Sequence, residues 1–106
     1  MFFAVYCNDT PEGFRRRREF ARRHLSYVRR HKSSYLVAGP CPGERTDEHW
    51  ASLLLIEADS LNAAQNLMTN DPYYLGGVWR DMTIRPFRAV AGKWLPRGME
   101  IDFGDY

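Results

Sequence analysis

The stretch Trp50-Ala51-Ser52-Leu53-Leu54-Leu55-Ile56-Glu57 decides the fold. Four large apolar residues follow one another from Leu53 to Ile56, where a half-exposed strand would alternate apolar and polar side chains. Because successive side chains of a strand point to opposite faces of its sheet, this strand is apolar on both faces. Residues 2–7 are apolar throughout in the same way. The sequence therefore predicts a sheet that must be covered on both sides.

Working outward from this stretch, the pattern predicts the order βαββαβ. The predicted strands are residues 2–7, 35–39 (stopped by Pro40), 50–57 and 78–89, and the predicted helices are about residues 11–32 and a helix that starts after Asp59 or Ser60. Pro86 removes one ladder hydrogen bond, which places the last strand at a sheet edge. Right-handed crossovers with both helices on one face give an α+β, ferredoxin-like fold.

The second face of this sheet needs a cover that two helices cannot provide. A second copy of the chain, packed sheet to sheet, is the economical cover, so we expect a homodimer. The alternative is that residues 93–106, which include Trp94, Leu95, Met99 and Phe103, lie over this face. The sequence does not show whether residues 93–106 wrap around a partner or lie on the surface.

The first helix carries two adjacent stripes at helical spacing. The stripe predicted to be buried consists of Phe14, Ala21, Leu25 and Val28. Beside it lies a second stripe of Phe20, His24, Tyr27 and His31, and the opposite face is mainly arginine. His24 is thus expected at the border of the buried stripe, facing a cleft. Asp9 or Thr10 is expected to cap this helix.

Length and composition bound the class of protein. The 106 residues, with 44% hydrophobic and 26% charged residues, suit one soluble domain with one core. No apolar run approaches the roughly 18–20 residues that a membrane span needs, so no membrane association and a cytoplasmic location are expected. Cys7 and Cys41 have no metal-binding or redox spacing, and we expect buried, reduced thiols.

Nine of the fifteen basic residues fall in and after the first helix: Arg15, Arg16, Arg17, Arg18, Arg22, Arg23, Arg29, Arg30 and Lys32. Such a cluster can be the electrostatic footprint of nucleic-acid binding. A solvated helix face is the more common reason for a charge run. The strands also lack the interleaved aromatic and basic residues of single-strand readers. Nucleic-acid binding through this helix is therefore the minor alternative.

Two titratable residues are the leading candidates for chemistry. His24 is suited to acid–base catalysis near neutral pH, although histidines at helix borders are often structural. Asp71 precedes Pro72, which is typical of a helix N-cap, but a carboxylate can also orient an imidazole. The residues alone leave both alternatives open.

The sequence offers little for a metal or a cofactor. His24 and His31 are two helical turns apart, roughly 10 Å in rise, which is too far to share an ion. His49 lies in a polar loop, and neither a phosphate-binding glycine loop nor a dinucleotide fingerprint is present. We expect no metal site and no cofactor.

Four short motifs occur in order along the chain: Arg23-His24-Leu25, Ala38-Gly39-Pro40, Asp71-Pro72-Tyr73 and Ile84-Arg85-Pro86-Phe87. Together they resemble the YCII-related family over residues 1–92, which leaves residues 93–106 as a C-terminal extension. The resemblance implies a dimeric ferredoxin-like fold, in the superfamily that includes muconolactone isomerases, with a His–Asp pair in a cleft.

Carried onto this sequence, the resemblance implies a catalytic pair of His24 and Asp71. The residues implied for substrate binding are Tyr6 and Asp9 of the family's Tyr-x-x-Asp pattern, Gly39 and Tyr73. It favours cofactor-independent lyase or isomerase chemistry on a small organic metabolite, such as a lactone, hydroxyquinone or chlorinated phenolic compound. The alternative is a non-catalytic dimeric module that binds a metabolite or supports a partner enzyme.

Overall fold

The computed structural model of the protein describes residues 1–44 and 49–95. Its elements are β1 (Phe2–Asp9), α1 (Gly13–Arg30), β2 (Tyr35–Cys41), β3 (Ala51–Glu57), α2 (Leu61–Thr69), α3 (Pro72–Leu75) and β4 (Trp79–Phe87). The strands form one antiparallel sheet in the order β2-β3-β1-β4. The predicted α+β, ferredoxin-like fold is confirmed, and β4 with Pro86 lies at an edge.

Side chains alternate strictly along the central strand β1. Phe3, Val5 and Cys7 are fully buried beneath the helices, whose contribution to the same core includes Tyr27, Met68 and Tyr73. The other face of the sheet carries Tyr6 and Leu53, which are opposite each other in the register and remain 44% and 49% exposed. The helices therefore cover one face only, as predicted.

Strand β2 continues past the point where the sequence predicted its end. Pro40 was expected to stop it, but Pro40 and Cys41 still pair with Ser52 and Ala51 of β3. Because β2 is an edge strand, its outer side needs no ladder donor, and a proline is tolerated there. Cys7 is buried and Cys41 partly exposed, both as free thiols.

The expected cap of α1 is wrong. The helix begins at Gly13, and its N-cap residue Glu12 makes no side-chain capping bond. The Thr10 hydroxyl instead donates to the carbonyl of Gly77, at 2.7 Å, and the Asp9 carboxylate binds Arg17. Asp9 thus ties α1 to the end of β1, and Thr10 ties the loop before α1 to Gly77.

The prediction of which face of α1 is buried is also wrong, because the buried face is rotated about the helix axis relative to the predicted one. Leu25, from the stripe expected to be buried, is 49% exposed, whereas Arg17 and Tyr27 are buried and the His24 side chain is only 13% exposed. The prediction from hydrophobic spacing assumed that every arginine of this helix faces solvent. Here a buried carboxylate, Asp9, allows Arg17 to turn inward.

The shorter helices begin as the sequence predicted. Ser60 caps α2 by accepting a hydrogen bond from the amide of Ala63, and Asp71 caps α3 by accepting one from the amide of Tyr73. Among residues 1–44 and 49–95, no helix is both long and apolar enough to cross a membrane. The prediction for residues 93–106 lies outside the described residues beyond Leu95, and Trp94 is exposed.

Candidate active site

The centre of the candidate site is a contact between α1 and the start of α3. His24 Nδ1 lies 2.7 Å from Oδ1 of Asp71, inside the range of a strong hydrogen bond. Asp71 is fully buried, and the same Oδ1 accepts the amide of Tyr73 at 2.9 Å. The cap of α3 and the imidazole therefore share one oxygen atom.

This contact decides the tautomer of the neutral His24 ring. A carboxylate oxygen only accepts, so Nδ1 carries the proton and donates it to Asp71. The lone pair is then on Nε2, for which the residues the structure describes offer no hydrogen-bond partner. The ring lines a cavity beside α1. A basic nitrogen is thereby available to a molecule in that cavity.

The second oxygen of Asp71 is occupied by a residue that sequence reasoning missed. The Tyr35 hydroxyl donates to Oδ2 at 3.0 Å, so this oxygen is not free as expected. Burial and the neighbouring Asp71 charge raise the pKa of Tyr35 far above its usual range. The hydroxyl therefore remains a donor at any physiological pH. Tyr35 opens an ordinary edge strand, and no sequence signal marks it.

Aromatic rings fix the plane of the imidazole. The Tyr73 ring stacks on His24 with the centroids 4.0 Å apart and the planes within 5° of parallel. Trp79 meets His24 edge-on at 6.1 Å. Burial also raises the pKa of the Tyr73 hydroxyl. His24 is thus held from one ring face, from one edge and through Nδ1, which limits its rotation.

The cavity has a volume of about 190 Å³. Its apolar wall comes from three elements: Ala21, Leu25 and Val28 of α1, Ala38, Gly39 and Pro40 of β2, and Leu54 of β3. Its other lining residues are His24, Arg17, Ser52, Tyr73 and Trp79. A dry cavity of about 150 Å³ is known to hold benzene, so this volume suits one six-membered ring with small substituents.

A buried ion pair contributes one of its members, Arg17, to the lining of the site. Arg17 binds Asp9 through two parallel bonds, Nε to Oδ2 at 2.7 Å and Nη2 to Oδ1 at 2.8 Å. Nη2 also donates to the carbonyl of Ala51 and to Oγ of Ser52, each at 2.9 Å. Paired arginine and carboxylate groups in this geometry are rigid and specific. Sequence reasoning missed Arg17 among nine basic residues, although its position seven residues before His24 places it on the same helix face.

Comparison with known proteins bears on this site. The family model described as "YCII-related domain" matches residues 1–88. The chain belongs to the YCII-related family.

This YCII-related protein is 28% identical over 97 residues to Protein YciI of Escherichia coli O6:H1, an alignment that covers 85% of the chain and 99% of the relative. It is 27% identical, with the same coverage, to an uncharacterised protein of Haemophilus influenzae. A similar solved structure is 5-chloro-2-hydroxyhydroquinone dehydrochlorinase (TftG) from Burkholderia phenoliruptrix AC1100 in complex with 2,5-dihydroxybenzoquinone. Its TM-score is 0.73 at 25% identity, over 83% of this chain and 94% of TftG.

The structure brings most of the sequence-predicted site residues of this YCII-related protein together. His24, Gly39 and Tyr73 line the cavity, and Asp71 lies directly behind His24. Asp9 does not line the cavity but holds Arg17, which does. Tyr6 lies on the opposite face of the sheet, away from the cavity. The sheet therefore lies between Tyr6 and the other candidate site residues.

The arrangement of acidic, histidine and cysteine side chains bears on metal binding. Within residues 1–44 and 49–95, no three such side chains lie close enough to hold a metal ion. His31 Nδ1 is bound to the carbonyl of Tyr27, and His49 Nε2 lies 3.0 Å from Oδ1 of Asn8. Both imidazoles therefore make their contacts outside the cavity.

Proposed function

We propose that this YCII-related protein is a cofactor-independent acid–base enzyme of the lyase or isomerase type. His24 is the general base and acid, and Asp71 is the residue that orients it. The observation that carries the proposal is the 2.7 Å contact between Nδ1 and Oδ1, which leaves Nε2 basic beside a cavity. A base held by a carboxylate is the arrangement used for proton transfer in catalytic triads.

The step begins with transfer of a proton from the substrate to Nε2 of His24. The electron pair of the broken bond forms a new double bond in the substrate. In an elimination, a leaving group departs from the neighbouring carbon with its own bonding pair. In an isomerisation, the double bond migrates and His24 returns the proton to another carbon. Asp71 stabilises the imidazolium formed in either case.

The substrate class follows from the size of the cavity and the character of its wall. A volume of about 190 Å³ with a largely apolar wall suits a single ring. TftG, a dehydrochlorinase of the same fold, is known in complex with a dihydroxybenzoquinone. The candidate substrates are therefore lactones, hydroxyquinones and chlorinated phenols.

The test is a screen of these compounds with four proteins: wild type, His24→Ala, Asp71→Asn and His31→Ala. Loss of the base should lower kcat by about 10²–10⁴-fold. Asp71→Asn should lower kcat strongly while the fold persists, because an amide oxygen can still cap α3. His31→Ala is the matched control, since His31 is the C-cap residue of the same helix and lies outside the cavity.

Thermal unfolding of each variant separates chemistry from folding. Because His24 is stacked and largely buried, His24→Ala should also lose some stability, yet it should stay folded at the assay temperature. Equal turnover by the wild type and both site variants would refute the mechanism. Ligand binding without turnover of any compound would favour the non-catalytic alternative.

A further inference from the structure

The Ser52 hydroxyl has an unusual set of neighbours. Its Oγ lies 2.9 Å from Nη2 of Arg17 and 3.1 Å from Nε1 of Trp79. A guanidinium and an indole N–H are donors only, so Oγ accepts both bonds. A hydroxyl oxygen has two lone pairs and one hydrogen. Both lone pairs of Ser52 are therefore used by the protein.

The hydrogen of this hydroxyl has no acceptor among the residues the structure describes. It must point away from Arg17 and Trp79, because both present hydrogens to the oxygen. Ser52 is 5% exposed and lines the cavity together with His24. We propose that the Ser52 hydroxyl is a substrate-binding donor, and that the ligand of this cavity presents a carbonyl oxygen or an oxyanion to it.

This assignment rests on the proposed function and adds a requirement to its substrate. When His24 removes a proton next to a conjugated carbonyl, the electron pair moves toward the carbonyl oxygen and negative charge develops there. A donor already aimed at that oxygen stabilises the charge without reorganising. Hydrogen bonds in a chain also polarise one another, and Ser52 receives its own from a guanidinium.

Arg17, the arginine of the cavity lining, is already paired, so a ligand oxygen that carries negative charge depends on the Ser52 hydroxyl as its donor. Arg17 is paired in two bonds with Asp9, so the pair adds no net charge to the site. The carboxylate of Asp71 lies behind His24, in contact with Nδ1. The substrate class is thus a ring that conjugates a carbonyl or phenolic oxygen with the carbon or oxygen that loses its proton.

The experiment measures binding rather than turnover. The probes are 2,5-dihydroxybenzoquinone, 4-nitrophenol and a ring of the same size without an oxygen, chlorobenzene. The proteins are wild type, Ser52→Ala, Ser52→Thr and the control Ser26→Ala, whose serine is exposed on α1. Dissociation constants come from calorimetry, and absorbance reports the ionisation of bound 4-nitrophenol.

Ser52→Ala should weaken the two oxygen-bearing probes by about 10- to 100-fold, the effect of a hydrogen bond to a charged group. It should leave chlorobenzene within about threefold, and Ser52→Thr, which keeps a hydroxyl, should restore most of the loss. The pKa of bound 4-nitrophenol should be higher in Ser52→Ala than in the wild type, which a merely structural role would not produce.

Equal affinities of wild type and Ser52→Ala, or no binding of either oxygen-bearing probe to the wild type, would overturn the assignment. If Ser52→Ala fails to fold, Ser52→Cys replaces it, because a thiol keeps the volume but is a weak donor. The proposed function is judged separately, from turnover by His24→Ala. The two ideas can therefore fail independently.

Discussion

At the scale of single residues, the site depends on buried carboxylates that each accept several hydrogen bonds. Asp71 accepts from His24, Tyr73 and Tyr35, and Asp9 accepts twice from Arg17. A buried charge is stable only when it is paired and hydrogen-bonded in this way. Each donor removed leaves part of a buried charge unsatisfied, so the site should respond to changes of single atoms.

Tyr35→Phe removes one donor from Asp71 without changing the ring. We expect about 1–2 kcal/mol less stability to unfolding and a clear fall in kcat, because Asp71 then holds His24 less firmly. Urea unfolding and steady-state kinetics measure the two effects.

Tyr27→Phe is the matched control for this change. Its hydroxyl donates to the carbonyl of Leu67 at 2.7 Å, so the variant loses a comparable bond that does not involve Asp71. Stability should fall similarly while kcat is kept. Identical kinetic losses in both variants would contradict a specific role of Tyr35.

At the scale of elements, the start of α1 is determined by a close approach of its backbone to Asp9. A Cβ on Gly13 would lie 2.5 Å from Cβ of Asp9 and 2.7 Å from its Oδ2. Only glycine lets the helix begin this close to the buried pair. The first turn of α1 therefore packs directly on the ion pair that supplies Arg17 to the cavity lining.

Gly13→Ala should displace Asp9, loosen its bonds to Arg17 and destabilise the fold by several kcal/mol, since breaking a buried ion pair is among the larger effects of one substitution. Thermal unfolding measures the loss. Gly39→Ala is the control, because a Cβ there would meet no atom within 4 Å. A Gly13→Ala variant as stable as Gly39→Ala would contradict the packing argument.

The elements also show what the sequence can and cannot predict. The βαββαβ order along the chain, the edge position of β4 with Pro86 and the caps Ser60 and Asp71 follow from local patterns that tertiary contacts did not override. The His24–Asp71 contact was accessible through the motifs around both residues. Arg17, Tyr35 and Ser52 were not, because their roles come from bonds between positions far apart in the chain, and the residue type alone suggested an exposed charge, a strand residue and a small polar residue.

At the scale of the whole molecule, one face of the sheet remains uncovered by the helices. Tyr6 and Leu53 lie side by side on it, and Val37 and Phe87 are partly exposed there. Large apolar surfaces of this kind mark interfaces. We expect a homodimer that packs sheet to sheet through this face.

Leu53→Arg should convert the dimer into a monomer, because it places a charge at the centre of the proposed interface. Light scattering after size exclusion measures the mass. Leu75→Arg is the control, since Leu75 is 68% exposed on α3 and away from this face. A wild-type monomer at micromolar concentration would contradict the dimer, and truncation after Gly92 would then test whether the remaining residues cover the sheet.

The stability of the molecule should fall at alkaline pH. Burial raises the pKa of the Cys7 thiol and of the Tyr35 hydroxyl, so the folded protein keeps both protons after the unfolded chain has lost them. The unfolded chain releases them at about pH 8.5 and 10. Stability is therefore complete below about pH 8.5 and declines above it, by at most about 1.4 kcal/mol per pH unit and group.

Urea unfolding between pH 7 and 11 tests this slope. In Cys7→Ala the decline should begin only near pH 10, where the unfolded tyrosines ionise, although the overall stability is lower because a buried side chain is shortened. An unchanged onset in Cys7→Ala would show that the thiol is not responsible.

One oxygen of Asp71 accepts hydrogen bonds from both His24 and the amide of Tyr73. The orientation of the reactive imidazole therefore depends on the integrity of α3, the shortest of the described helices. Opening one turn of four residues releases the carboxylate and moves Tyr73, which lines the cavity and stacks on His24, so the orientation of the base is lost. The rate at which the Tyr73 amide hydrogen exchanges with solvent therefore reports how often the Asp71 carboxylate is released and the base loses its orientation. A substitution or insertion that changes the length or position of α3 should therefore also change proton transfer at His24.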